Sequence, residues 1–232
     1  MKKQRYALIF IIFTNFLLFS CENSKDIDIP QDKVAEVLTE YGKQNPETEV
    51  IIHVKKYGDI HIKLYEETPL HRANFIRLIK YGHFNHGDFY RIVSDFMIQG
   101  GNQGVKEQKY MIPAEFNNKY IHKKGALSMA RRDENNPEKR SSPTEFFIIR
   151  GRSYTEESLK DAVSNSGRKF ESYPADQIAE YLRMGGDARI DHLYTVFGEV
   201  TQGIEIVEQI ADLEVYDVEK PIVKPSFTIE LK

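Results

Sequence analysis

Phe89-Tyr-Arg-Ile-Val-Ser-Asp-Phe-Met-Ile-Gln-Gly-Gly-Asn102 is the stretch on which the reading of this chain turns. It sets one arginine (Arg91), an apolar pair (Phe96, Met97) and one amide (Gln99) around a strand that ends in a double glycine. An apolar floor beside a fixed cation and a neutral hydrogen-bonding group offers no nucleophile, no general base and no metal ligand. Hydrolysis draws on at least one of these. A reaction that needs only rotation about a bond does not.

On the N-terminal side of this stretch the apolar period is two. Val50, Ile52 and Val54 alternate with Ile51, His53 and Lys55, and Ile60, Ile62 and Leu64 follow the Tyr57-Gly58-Asp59 turn, which predicts a hairpin. His53 and His61 fall on its polar positions and read as solvated. Thr68-Pro69 opens a helix over 70–81, buried through Ala73, Phe75, Ile76, Leu78 and Ile79 and stopped by Gly82. On the C-terminal side the pattern predicts strands at 125–130, 145–149 and 194–200, a helix over 203–211 and a last strand at 227–231. Many short strands with few helices describe a mainly β chain, an antiparallel barrel. A polar segment between Arg150 and Arg189, with helical patterning at 155–163 and 175–184, reads as a helical insert in that barrel.

The ends and the composition set further bounds. Lys2, Lys3 and Arg5 precede an apolar run from Tyr6 to Phe19, then Ser20-Cys21, which is the layout of an export signal at residues 1–20. The run is shorter than the ~20 residues a bilayer span requires. Leu18-Phe19-Ser20-Cys21 resembles a bacterial lipobox. That likeness implies lipid attachment at Cys21, the only cysteine in the chain, and a place in the bacterial cell envelope, periplasm or outer membrane. Residues 21–48 read as a polar tether and a short helix (Val34, Val37, Leu38, Tyr41). The pattern leaves open whether this helix docks on the domain or extends the tether. The net charge of −3 becomes more negative without the basic leader, which argues against nucleic acid as a partner. His83-Phe-Asn-His86 has a spacing that could hold a metal but lacks a third ligand nearby and reads as a surface loop, so no metal is expected. Gly100-Gly101 and Gly185-Gly186 do not fit a phosphate-cradling loop, and no cofactor is implied.

Four ordered motifs resemble those of the cyclophilins, peptidyl-prolyl isomerases. Thr68-Pro-Leu-His-Arg-Ala-Asn-Phe75 is similar to T-P-x-T-x-x-N-F, and residues 89–102 to F-H-R-x-I/V-x-x-F-M-x-Q-G-G-D. Gly125-Ala-Leu-Ser-Met-Ala130 with Glu145-Phe-Phe-Ile148 is similar to G-x-L-S-M-A…S-Q-F-F-I. Asp191 with Tyr194-Thr-Val-Phe-Gly-Glu-Val200 resembles L-D-x-x-x-x-V-F-G-x-V. The resemblance spans 49–232 and implies a closed antiparallel β-barrel of the cyclophilin type with two capping helices. It implies catalytic roles for Arg91 and Gln99. It also implies a substrate site of Phe96, Met97, Ala130, Arg131, Glu145, Phe147, Ile190 and Tyr194, and proline-containing polypeptides as partners; a monomer is the default expectation. The chain departs from the pattern where Arg131 replaces Asn, where the charged loop Arg132–Arg140 replaces a shorter one, where Glu145 replaces Gln and where Tyr194 replaces His. Arg131 and Glu145 could pair in compensation. The expected function is isomerisation of X–Pro bonds in envelope proteins. The alternative is a proline-segment binding module with little turnover.

Overall fold

The computed structural model describes residues 28–104, 108–217 and 219–232. The leader at 1–20 and Cys21 lie outside them, so the expectations of export and lipidation do too. Among the described residues no helix is long and apolar enough to cross a membrane.

Eight strands close into an antiparallel barrel in the order β1-β10-β3-β4-β6-β5-β7-β2. They are β1 (Glu49–Val54), β2 (Gly58–Leu64), β3 (Gly87–Val93), β4 (Met97–Gly101), β5 (Ala126–Met129), β6 (Phe146–Ile149), β7 (Val196–Gln202) and β10 (Ser226–Leu231). A short hairpin, β8 (Val215–Tyr216) with β9 (Lys220–Pro221), stands beside β3. The register fixes which residues face inward. Val50 opposes Ile62 and Ile52 opposes Ile60, and all four are buried in the barrel core. Helices α2 (Pro69–Lys80) and α5 (Ile204–Ala211) add Phe75, Ile76, Leu78, Val207 and Ile210 to the same core. Each such side chain contributes about 1.5–3 kcal/mol when fully buried.

The first helix, α1 (Val34–Gln44), docks. Val34 and Leu38 enter the barrel core, the Arg72 guanidinium of α2 donates to the Asn45 and Glu47 carbonyls, and Lys80 pairs with Glu47. Residues 28–32, expected in the polar tether, are also packed. Ile29 is buried, and Gln31 exchanges hydrogen bonds with the backbone of Met111 at 2.8 and 2.9 Å.

Helix α2 has no cap from Thr68. The carboxylate of Glu115 instead accepts from the Leu70 and His71 backbone N–H groups at 3.0 and 2.9 Å, where the helix dipole favours negative charge. His71, fully buried, bridges Glu115 at 2.7 Å and the Ser141 hydroxyl at 2.9 Å. Ser141 is itself buried, so this row ties the base of the charged loop to α2 rather than forming a reactive serine.

The insert is two helices, α3 (Glu156–Asn165) and α4 (Ala175–Met184), with a small core of Tyr154, Leu159, Val163, Tyr173 and Tyr181 that also takes in Ile121. It closes on itself at a neck where Arg152 and Gly186 exchange backbone hydrogen bonds at 3.0 Å. A Cβ on Gly186 would lie 2.3 Å from the His122 carbonyl oxygen, so only glycine fits where the neck meets the barrel.

His83 differs from its expected place in a surface loop. It is buried edge-on against Phe84, while His86 is exposed, so the two do not share a site. His53 is not merely solvated either. It sits between Asp59 at 2.7 Å and Glu230 at 3.1 Å, and these carboxylates raise its pKa.

Candidate active site

The alternation of β3, β4, β6, β5 and β7 builds two separate apolar regions. Ile92, Ile98, Phe146, Ile148, Leu127 and Phe197 face the barrel core. The intervening residues face outward. Their pairings run Arg91–Gln99, Gln99–Phe147, Phe147–Ser128 and Ser128–Val196 across the five strands, so these side chains form one row on the outer face. Met97 opposite Ile149 forms the next row.

That outer face carries its own apolar cluster: Tyr65, Met97, Ala126, Ala130, Phe147, Ile149 and Val196, with Phe96, Ile190 and Tyr194 half-buried against it. Every apolar residue of the expected substrate site lies here. Phe147 meets Tyr194 edge-to-face at 5.5 Å and Phe96 at 6.1 Å. Burial raises the Tyr194 pKa above the ordinary range, so it stays a neutral phenol.

The cation sits at the edge of this cluster. The Arg91 Nη1 donates to Gln99 Oε1 at 3.1 Å and its Nε to Glu219 Oε2 at 2.6 Å. Gln99 Nε2 donates in turn to the Tyr90 hydroxyl at 2.9 Å. Burial, followed by the charge of the Glu145 carboxylate, raises the Tyr90 phenol pKa. The chain has a direction. A guanidinium can only donate, so Gln99 accepts from Arg91 through its amide oxygen and donates to the Tyr90 oxygen through its NH2 group. This fixes the amide with its own oxygen toward Arg91.

Glu145 and Arg131 do not pair with each other. Tyr90 stands in the slot where the signature has His. Arg131 turns to Asp133 at 2.8 Å and lies 4.4 Å over the Tyr194 ring, a stacking that guanidinium planes favour. The charged loop beyond it is compact. Asn136 is buried and donates to the Arg132 and Arg140 carbonyls, both at 2.8 Å. Arg189 pairs with the buried Asp187.

Behind Phe147 stands a polar arrangement that the motifs did not show. The His122 ring stacks on Phe147 at 6.3 Å with planes 9° apart. Its Nδ1 lies 2.8 Å from Asp191 Oδ1, which also accepts from the His122 backbone N–H at 2.9 Å. Asp191 Oδ2 accepts from the Tyr173 and Tyr181 hydroxyls of the insert, both at 2.8 Å. Burial opposes the Asp191 charge, yet the bonds from His122 and Tyr181 outweigh it and hold the carboxyl below its usual range.

A family profile described as "Cyclophilin type peptidyl-prolyl cis-trans isomerase/CLD" matches residues 49–230. This chain belongs to the cyclophilin family. A Staphylococcus saprophyticus protein provisionally named a peptidyl-prolyl cis-trans isomerase is 31% identical over 183 residues, 76% of this chain and 87% of that one. A similarly named Staphylococcus epidermidis protein is 28% identical over 186 residues, 77% and 88% of the two chains. Among solved structures, a Cryptosporidium parvum cyclophilin-type isomerase crystallised with the dipeptide Ala-Pro shares the fold. Its TM-score is 0.53 at 20% identity, over 79% of this chain and 98% of that one. The Hirschia baltica cyclophilin AquaCyp293 gives a TM-score of 0.53 at 17% identity, over 81% and 74%. The activity of this cyclophilin is peptidyl-prolyl cis–trans isomerisation. Its barrel is the closed antiparallel form that the family resemblance implied.

Proposed function

We propose that this cyclophilin turns X–Pro bonds by gripping the proline ring on the outer apolar face and stabilising the twisted amide with Arg91. An X–Pro amide interconverts over tens to hundreds of seconds because its C–N bond is partly double. At 90° of twist the conjugation is lost, and the proline nitrogen becomes pyramidal and regains a lone pair. A guanidinium N–H directed at that lone pair is worth more in the twisted state than in either planar one, which is the condition for catalysis. Arginine stays charged at any working pH, so the site needs no pKa tuning.

The observation that supports this reading is the placement of Arg91 on the same outer row as Phe147, with Gln99 between them. Met97, Phe147 and Ala130 form the floor on which a pyrrolidine ring would rest, with Phe96, Ile190 and Tyr194 as walls. Arg131 and Glu145, both beside this floor, would meet residues next to the proline. The Ala-Pro dipeptide named with the Cryptosporidium parvum structure is the kind of ligand such a face would take.

The substrates in this reading are proline-containing segments of envelope proteins, met by a monomer carried outside the cytoplasm and held by lipid on Cys21. The basic leader, the short apolar run and the lone cysteine support that part. The experiment is cis-to-trans isomerisation of short X–Pro peptides by the soluble form starting at Glu22, beside Arg91→Ala. Turnover should fall about 100-fold or more in the variant, the usual cost of losing one preorganised donor. Equal turnover in the two proteins would refute the role of Arg91. For the location, globomycin-sensitive labelling of the full chain by radioactive palmitate, lost in Cys21→Ser, is the expected result.

A further inference from the structure

Arg91 is held from a second side by a residue that no motif announces. Glu219 follows the exposed strand β8 and immediately precedes β9, 128 positions along the chain from Arg91. It touches β3 twice. Its carbonyl accepts from the Ile92 N–H at 2.7 Å, and its carboxylate accepts from Arg91 Nε at 2.6 Å. Its backbone lies in the left-handed region at φ 71°, which a non-glycine residue adopts only where surrounding contacts enforce it. The side chains of Arg91 and Glu219 are 40% and 34% exposed, so the pair is neither sealed nor fully solvated.

An arginine side chain has several rotatable bonds, and one hydrogen bond leaves the guanidinium free to swing about it. Gln99 engages Nη1, at the far end of the group, and Glu219 engages Nε, at its stem. Two bonds at different nitrogens fix the plane as well as the position. Nη2 then has no protein partner among the described residues. We infer that Glu219 is a positioning residue for Arg91, fixing the guanidinium plane so that Nη2 is presented to the proline nitrogen of a bound X–Pro segment. The inference rests on the catalytic assignment of Arg91. Orientation set before substrate arrives lowers the barrier to the twisted state without adding grip on the planar substrate.

The test compares Glu219→Ala and Glu219→Gln with wild type and Arg91→Ala in peptide isomerisation, with kcat and KM measured separately. Arginine Nε–H resonances are followed by NMR. Glu219→Ala should lower kcat about tenfold with KM within about twofold, and the Arg91 Nε–H should lose its protection from exchange. Glu219→Gln keeps an acceptor at the same reach and should recover more than about half of the lost kcat along with that protection. An unchanged or higher kcat in Glu219→Ala, beside a collapsed Arg91→Ala, would overturn the inference and leave the role of Arg91 standing. So would a change confined to KM. Full turnover by Arg91→Ala would remove the assignment of Arg91 itself, and the inference with it.

Discussion

Two polar networks flank the apolar cluster, and they are built on opposite plans. In front, Glu219, Arg91, Gln99 and Tyr90 form an open chain at the edge of the outer apolar face. Behind, His122, Tyr173 and Tyr181 converge on one carboxylate, Asp191, whose side chain is 1% exposed. The front network keeps a cation with spare donors near solvent, where a substrate can reach it. The rear network saturates its acceptor, and so joins barrel and insert at the back of Phe147, leaving the buried His122 Nε2 as its one atom without a partner among the described residues. A half-exposed pair contributes little to stability, whereas a buried one is costly to break. The front should therefore govern turnover and the rear should govern folding.

The harshest way to break that division is Asp191→Ala, which strands an imidazole and two phenol hydroxyls in the interior. It should lower unfolding free energy by about 3–5 kcal/mol in urea titration. Asp191→Asn, which retains an acceptor, should lower it by distinctly less. A loss under about 1 kcal/mol for the alanine variant would show that the hub does not hold the insert.

His83 sharpens the contrast, since it is a buried histidine without an acid. Burial alone lowers its pKa to about 4. The unfolded chain binds a proton near pH 6.5 that the folded chain refuses, so stability should be full above that value and fall as pH drops toward 4. The loss should approach about 3 kcal/mol as an upper bound. Asp191, with its lowered pKa, works in a separate window. Its contribution is present above the ordinary carboxylate range and is lost only as pH falls further, through its folded value. The pH dependence of Tm for wild type and His83→Leu checks this. The variant should lose the His83 share of the slope between pH 6.5 and 4, beside the opposed shares of His53 and His192, and keep the fall below it.

Smaller changes probe single bonds. Tyr181→Phe removes one of four donors to Asp191 and should cost about 1 kcal/mol of stability, with peptide turnover within about twofold of wild type. Tyr90→Phe is its counterpart at the front. It removes the hydroxyl that orients Gln99 and should lower kcat about threefold while Tm moves by no more than a degree or two. The opposite assignment of effects to these two tyrosines would erase the distinction between the networks.

Much of this was legible in the chain. Period-two alternation from Val50 to Leu64 gave the hairpin and its inward face. Residues 89–102 named Arg91 and Gln99, eight positions apart around one expected strand; the structure sets them opposite each other on two strands, β3 and β4. Phe96, Met97, Ala130, Phe147, Ile190 and Tyr194 were named from the motifs, and the structure gathers all six into one cluster. Charge matching served less well. Arg131 and Glu145 looked complementary, but Arg131 turned to Asp133 instead. His83 read as a loop residue because loop composition says nothing about what folds over it.

The sequence by itself determined the barrel, the family and the identity of the cation, because strand period and a short signature are properties of adjacent residues. The docking of α1, the seating of the insert on Asp191 and the grip of Glu219 on Arg91 were decided only in three dimensions. Each joins side chains far apart in the chain, 69 positions for His122 and Asp191 and 128 for Arg91 and Glu219. A polar residue's partner is whatever folding brings within about 3 Å of it, and no local pattern records that distance.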